Sequence, residues 1–172
     1  MADLATAILG ASATVAAVYL TQFVGDSYKR FRDGSALAAG ILGELRTYEA
    51  NKSEFEQGIA AWILAIDNGS RDQLIFRFGK SPAPAYFGVV VDKIGLLGHE
   101  LVEDVVYVYA KVTAFEGAIE IICEHHKEMS DAELRLRAVN LVKLIDEAWD
   151  RGRALLPRLE ARCNASFGPF GF

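Results

Sequence analysis

The chain opens with a long run of apolar and small residues that contains no charged side chain. This run, LATAILGASATVAAVYLTQFV, extends from Leu4 to Val24. As a helix it would be about 31 Å long, close to the thickness of the hydrocarbon core of a bilayer. The pattern predicts a transmembrane anchor within residues 1–27. Two alternatives remain open. One is a helix buried between the subunits of a soluble oligomer. The other is a cleaved signal peptide, but no basic residue precedes the run, as it normally does in a signal peptide.

Three basic residues, Lys29, Arg30 and Arg32, follow the apolar run, whereas Asp3 precedes it. Because basic residues accumulate on the cytoplasmic side of a membrane span, this asymmetry predicts a single-pass protein whose C-terminal domain is cytoplasmic. The basic residues are then expected at the membrane interface, near anionic headgroups, the alternative being an ordinary solvated helix face. Small residues in the run would let neighbouring spans pack closely. The predicted span-packing residues are Ala7, Gly10, Ala11, Thr14 and Ala17.

After residue 28, apolar residues recur at spacings of three and four, which is the period of an α-helix. The first seam runs from Phe31 to Ile66, and Lys52 is its one charged interruption. This helix either continues unbroken from the apolar run or bends at Asp26 or at the Asp33-Gly34-Ser35 step.

Two further helical seams cover the rest of the chain. The second runs from about Phe87 to His125, where the sustained period outweighs the local strand preference of Val105-Val106. The third begins at a capping-box pattern, Ser130 to Glu133, and Pro157 is expected to bend or end it near Leu156. The short connection between them predicts antiparallel packing.

These seams predict an all-α fold in which an N-terminal transmembrane helix is followed by a cytoplasmic antiparallel three-helix bundle. The bundle domain is assigned to residues 28–163. Residues 164–172 form an aromatic, glycine-rich tail that docks on its own subunit or a neighbour, binds a partner, or stays disordered. Turn residues at 67–70 and a proline pair at 82 and 84 separate the first two bundle helices.

Composition narrows the function classes. The 172 residues carry a net charge of −5, which argues against a general nucleic-acid binder, because phosphate backbones call for a basic surface. The two cysteines, Cys123 and Cys163, are typical of a reducing compartment and of small buried apolar residues.

No residue pattern supports catalysis or metal binding. Gly79-Lys80-Ser81 resembles the end of a phosphate-binding loop, but Leu74 stands where that loop needs a glycine. A helical di-iron site needs glutamate three residues before histidine, and none of the three histidines has one. The glutamates at 116, 120 and 124 read as a solvated acidic face. We therefore expect no catalytic, cofactor-binding or metal-ligating residues, no cofactor, and no enzymatic activity.

Several short segments carry a wider resemblance. They are Tyr28 to Arg32, Ala39 to Arg46, Pro84 to Tyr86, Ile94 to Leu97 and Val105 to Tyr109. With these segments the chain resembles a group of uncharacterised bacterial proteins that carry one N-terminal span, a basic juxtamembrane patch and a cytoplasmic helical domain. The resemblance implies that architecture and no catalytic residues.

The favoured hypothesis is a non-enzymatic, membrane-anchored helical scaffold or accessory protein that self-associates. Its expected partners are the lipid bilayer, further copies of itself and an unidentified protein, but not nucleic acid. The alternatives are a homo-oligomeric channel or membrane-perturbing effector, and a soluble all-α oligomer with a buried N-terminal helix.

Overall fold

The computed structural model describes residues 2–76 and 85–168, apart from the side chains of residues 2–12, 16 and 85. Within these ranges the chain is helical and contains no β-strand, which confirms the all-α prediction. The α-helices are listed here in chain order: α1 (Ala2–Asp67), α2 (Ala85–Val90), α3 (His99–His125) and α4 (Asp131–Asn164). Two 3-10 segments, Arg71–Gln73 and Val91–Leu97, lie between α1 and α3.

Helix α1 is a single rod of about 99 Å that continues through both positions where the sequence left a bend open. At Ser35 the hydroxyl donates to the carbonyl of Phe31 at 3.1 Å, and Arg162 of α4 donates to the same hydroxyl at 3.0 Å. The Asp33-Gly34-Ser35 step is therefore a packing position on a continuous helix.

The predicted turn at residues 67–70 ends α1 as a Schellman motif. Gly69 adopts a φ of 66°, and the backbone N–H groups of Ser70 and Gly69 donate to the carbonyls of Ala65 and Ile66 at 2.8 Å and 3.1 Å. Arg71 then donates to the carbonyl of Met129 at 2.7 Å, which ties this end of α1 to the turn between α3 and α4.

The predicted second helix is divided, contrary to expectation. Residues 91–97 form a 3-10 segment, and Gly98, at a φ of 87°, lets the chain turn into α3 at His99. The preceding α2 is fixed by Glu44 of α1, whose carboxylate accepts the N–H groups of Tyr86 at 3.1 Å and Phe87 at 3.2 Å. The same carboxylate accepts the hydroxyl of Tyr109 at 2.5 Å.

The third predicted helix begins as expected but ends later. Ser130 caps α4, its hydroxyl accepting the N–H of Glu133 at 3.2 Å. The expectation that Pro157 ends the helix near Leu156 is wrong, because α4 continues to Asn164. Proline removes one backbone hydrogen bond, but Leu155 and Leu159 on either side are fully buried and hold the helix against the bundle.

Helix α4 packs against both α1 and α3 and runs antiparallel to them. Arg46 pairs with Glu160 at 3.2 Å, and Asp67 pairs with Arg135 at 2.7 Å. Later residues of α1 therefore lie beside earlier residues of α4. Helices α1 and α3 are instead parallel, since Glu44 meets Tyr109, and the Phe55 and Phe115 rings lie 5.6 Å apart. The predicted antiparallel arrangement therefore holds for two of the three helix pairs.

The buried side chains fall into two clusters along the bundle, and both follow the predicted seams. The first cluster lies near α2 and contains Ala38, Ile41, Leu45, Leu101, Val105, Val108, Leu155 and Leu159, among others. The second lies near the turn between α3 and α4 and contains Ile59, Trp62, Ile66, Ile122, Leu134, Ala138 and Leu141, among others.

A charged cluster on α3 and α4 gives a pH-dependent prediction. Asp104, whose side chain is 16% exposed, accepts Arg151 Nε at 2.6 Å and pairs with Arg158. Burial raises the pKa of Asp104, but the hydrogen bonds from both arginines outweigh it and hold the pKa below its ordinary 3.8. A carboxyl group whose pKa is lower in the folded than in the unfolded protein stabilises the folded state at pH values above its unfolded-state pKa. This stabilisation is lost as the pH falls through the folded-state pKa.

We expect Asp104→Asn to lower the free energy of unfolding at neutral pH by about 1–3 kcal/mol. The melting temperature of the wild type should fall below about pH 4, and that of the variant should fall less. Circular dichroism melts across this pH range measure both effects. Asp150→Asn, an exposed change on α4, is the control and should melt like the wild type. Identical pH profiles for wild type and Asp104→Asn would contradict the prediction.

Candidate functional site

The first part of α1 projects beyond the bundle; we call residues 2–26 the N-terminal extension. Every side chain described between residues 13 and 26 is exposed. The large apolar ones among them are between 41% and 70% exposed, and they are Val15, Val18, Tyr19, Leu20, Phe23 and Val24. Since successive residues turn by about 100° around the helix, these side chains cover about two thirds of its circumference, and Thr14, Ala17 and Thr21 lie on the remaining side. The described part of the extension thus exposes large apolar side chains over most of its circumference.

Most of the extension carries no charged side chain that would need a partner or water. No charged residue occurs from Leu4 to Gly25. Thr21 donates its hydroxyl to the carbonyl of Ala17 at 2.8 Å, so this polar group is satisfied within the helix. Such a surface suits contact with lipid or with the same segment of another copy.

The structure describes only part of the predicted span. Within the part of the chain that it describes, no helix carries a stretch both long enough and apolar enough to cross a bilayer. The side chains of residues 4–12 and 16 lie outside that part. Among the predicted span-packing residues, Thr14 and Ala17 are exposed, whereas the side chains of Ala7, Gly10 and Ala11 are not described.

The predicted membrane-interface residues lie where the extension meets the bundle; we call Lys29, Arg30 and Arg32 the basic collar. All three are exposed, and Arg32 contacts only its neighbour Asp33, at 3.4 Å, among the ion pairs of the described residues. The residue between them, Phe31, turns towards the bundle instead and lies 4.7 Å below the guanidinium of Arg162. The collar therefore occupies the sides of α1 that the bundle leaves uncovered.

Two residues at the end of the chain reinforce this junction. The ring of Phe167 contacts Tyr28 at 5.3 Å and Phe31 at 5.5 Å between centroids, so this part of the tail docks on its own subunit. Arg162 donates to the carbonyl of Phe31 at 3.3 Å. Docking of the tail was one of the alternatives that the sequence left open, but the sequence identified neither contact, because both join residues more than a hundred positions apart. Residues 169–172 of the tail lie outside the described residues.

The remaining sequence candidates do not form a catalytic arrangement in the parts that are described. Within residues 2–76 and 85–168, no group of three His, Cys, Asp or Glu side chains is placed to hold a metal ion. Gly79-Lys80-Ser81 lies outside the described residues. The expectation of a solvated acidic face holds for Glu120 and Glu124 but is wrong for Glu116, one of whose carboxylate oxygens is buried.

The N-terminal extension and its basic collar together form the candidate site. Comparison of the chain with models of protein families, with curated proteins and with solved structures finds no match.

Proposed function

We propose that the protein is a non-enzymatic helical scaffold or accessory protein, anchored in a membrane by the N-terminal extension and able to self-associate. The observation that carries the proposal is the exposed, largely apolar surface of the extension between residues 13 and 25, within a run that carries no charge from Leu4 to Gly25. Water would leave this surface unfavourably solvated, since each Å² of exposed apolar area costs about 25 cal/mol. A bilayer removes that cost along the whole segment.

The dimensions and charges fit this placement. Residues 2–26 span about 38 Å as a helix, enough to cross a hydrocarbon core of about 30 Å. The basic collar follows at the point where the helix would leave the lipid, and basic residues near an anionic leaflet each add about 1 kcal/mol of attraction. The bundle then lies on the cytoplasmic side, in keeping with the excess of basic residues there.

Self-association is proposed on the same segment. Small side chains allow helix backbones to approach one another in lipid, where close packing drives association. Thr14 and Ala17 lie on the described part of the extension and are exposed, so that this part of the surface is open to a second copy.

The test is a matched pair of charge substitutions. Val15 is 69% exposed on the extension, and Val89 is 79% exposed on α2. Val15→Arg should move the protein from the membrane pellet to the supernatant in detergent-free fractionation, because an arginine near the centre of a span costs about 3 kcal/mol, roughly a hundredfold in partitioning. Val89→Arg should leave the wild-type distribution unchanged.

Three results would redirect the proposal. Wild-type protein found entirely in the supernatant as a defined oligomer would contradict the membrane anchor and favour a soluble assembly. A monomer in mild detergent would contradict self-association. Ion flux through liposomes that carry the purified protein would replace the scaffold with a channel.

A further inference from the structure

The last turn of α4 lies against the part of α1 that carries the basic collar. Arg162 of α4 donates to the hydroxyl of Ser35 at 3.0 Å and to the carbonyl of Phe31 at 3.3 Å. Phe167, three residues beyond the end of α4, contacts both Tyr28 and Phe31. Later residues of the chain thus meet earlier residues of α1, so that the chain beyond α4 runs towards the N-terminal extension.

Phe167 is held at the level where the proposed span leaves the lipid. Its partner Tyr28, which is 51% exposed, follows Val24 by four residues, or about 6 Å along the helix axis. The polar layer on each side of the hydrocarbon core of a bilayer is about 5–7 Å thick. With Val24 at the edge of the core, the ring pair of Tyr28 and Phe167 falls within this layer, where aromatic side chains concentrate in membrane proteins.

The sequence that starts at Phe167 is apolar and aromatic. From residue 167 to 172 it reads FGPFGF, with a phenylalanine at every second or third position and no charged side chain. An extended chain advances about 3.3 Å per residue, so Phe170 can lie up to about 10 Å, and Phe172 up to about 17 Å, from the docked residue. Both phenylalanines are therefore within reach of the bilayer interface from the position at which Phe167 is held.

The charges around the docked ring favour a membrane surface. Within residues 26–33 and 162–167, the basic side chains outnumber the acidic ones: Lys29, Arg30, Arg32 and Arg162 against Asp26 and Asp33. An excess of basic residues attracts the anionic headgroups of a bilayer. The junction thus combines exposed basic side chains with aromatic rings, as surfaces that bind in the membrane interface do.

We propose that the segment from Phe167 to Phe172 is a second membrane contact, which inserts its phenylalanine rings into the interfacial layer of the bilayer beside α1. Tyr28 and Phe31 hold the first ring and so set the place at which the segment meets the lipid. Because the segment follows α4 while the anchor precedes the rest of α1, the two contacts together fix the orientation of the bundle relative to the membrane. The inference rests on the proposed anchor, which brings the collar to the bilayer surface.

The test places a tryptophan in the segment and uses brominated lipid to detect its contact with the bilayer. The full chain carrying Phe170→Trp is bound to vesicles of phosphatidylglycerol and phosphatidylcholine, the latter brominated near the headgroup end of one acyl chain. We expect the bromine to quench most of the emission that this substitution adds. The native tryptophans should keep their emission, because Trp62 lies about 57 Å along α1 from Val24, and Trp149 lies beside Lys52, about 42 Å from Val24.

Two further variants complete the test. Leu136→Trp is the matched control: this residue is 61% exposed on α4, beside Arg135, which pairs with Asp67 at the far end of α1, and its tryptophan should not be quenched. Adding Phe167→Ser to Phe170→Trp should reduce the quenching, because it removes the ring that ties the segment to α1. Circular dichroism melts show that the bundle is intact in each variant.

The outcomes separate this inference from the proposed anchor. Wild-type protein that does not sediment with the vesicles would contradict the anchor and the second contact together. Sedimentation with the vesicles while the emission of Phe170→Trp stays unquenched would overturn the second contact alone. Quenching that is unchanged by Phe167→Ser would overturn the placement of the segment by its docked ring.

Discussion

Val105→Asp is expected to abolish cooperative folding of the bundle, with a loss in the free energy of unfolding of about 4 kcal/mol or more. Val105 is 0% exposed and belongs to the buried cluster beside α2. An aspartate there would place a carboxylate in the same buried apolar cluster as Ile41, Val108 and Leu155. The protein must then either bury an unpaired charge or separate α3 from its neighbours.

The neighbouring residue provides the control for this substitution. Val106 is 46% exposed on the same turn of α3, so Val106→Asp changes charge and helix propensity by the same amount without burying the carboxylate. Denaturant unfolding followed by circular dichroism compares the two. Val108→Asp and Leu141→Asp should behave like Val105→Asp, and Leu141 tests the second cluster. A wild-type midpoint for Val105→Asp would mean that this face of α3 is not in the core.

The periodicity of the apolar residues predicted which faces are buried, because burial in a helical bundle depends mainly on that spacing. At Val105-Val106 the local preference for strand and the helical period disagree, and the period prevails because it extends over the whole of α3. Lys52 was predicted as an interruption of the first seam, and it occupies that seam with its ammonium group turned to Glu56 and Asp146.

Features that depend on distant parts of the chain could not be predicted from the local spacing of apolar residues. Pro157 remains inside α4 because leucines on both sides of it are held by the other helices, and no local rule contains that information. The break before α3 depends on Gly98 and on Glu44, which fixes the start of α2 from a position 42 residues before Tyr86. Likewise, the parallel course of α1 and α3 follows from where α2 docks on α1.

The candidate sites divide in the same way. The extension and its basic collar are continuous in sequence, so the absence of charge and the flanking basic residues were sufficient to locate them. Glu116, by contrast, belongs to a series of glutamates that reads as a solvated face. The packing of the bundle removes one of its carboxylate oxygens from water.

Gly34→Ala should destabilise the protein by about 1–3 kcal/mol, although the same substitution normally stabilises a helix. Gly34 is buried within α1, and a β-carbon there would lie 2.5 Å from the carbonyl oxygen of Leu96 and 2.7 Å from a guanidinium nitrogen of Arg162. The arginine tip can move, but the backbone of Leu96 cannot move freely, because Leu97 is buried in the core. The substitution therefore pushes the 3-10 segment away from α1.

Gly43→Ala, on the same helix, separates this effect from helix propensity. Gly43 is exposed and has nothing within 4 Å of an added β-carbon, so alanine should stabilise the protein by about 0.5–1 kcal/mol. Chemical denaturation of the two variants should thus give shifts of opposite sign. Stabilisation by both substitutions would mean that the 3-10 segment does not rest on Gly34. A loss confined to Gly34→Ala would show that this glycine, which reads in sequence as a break in the helix, is instead the point where the chain before α3 packs closely against α1.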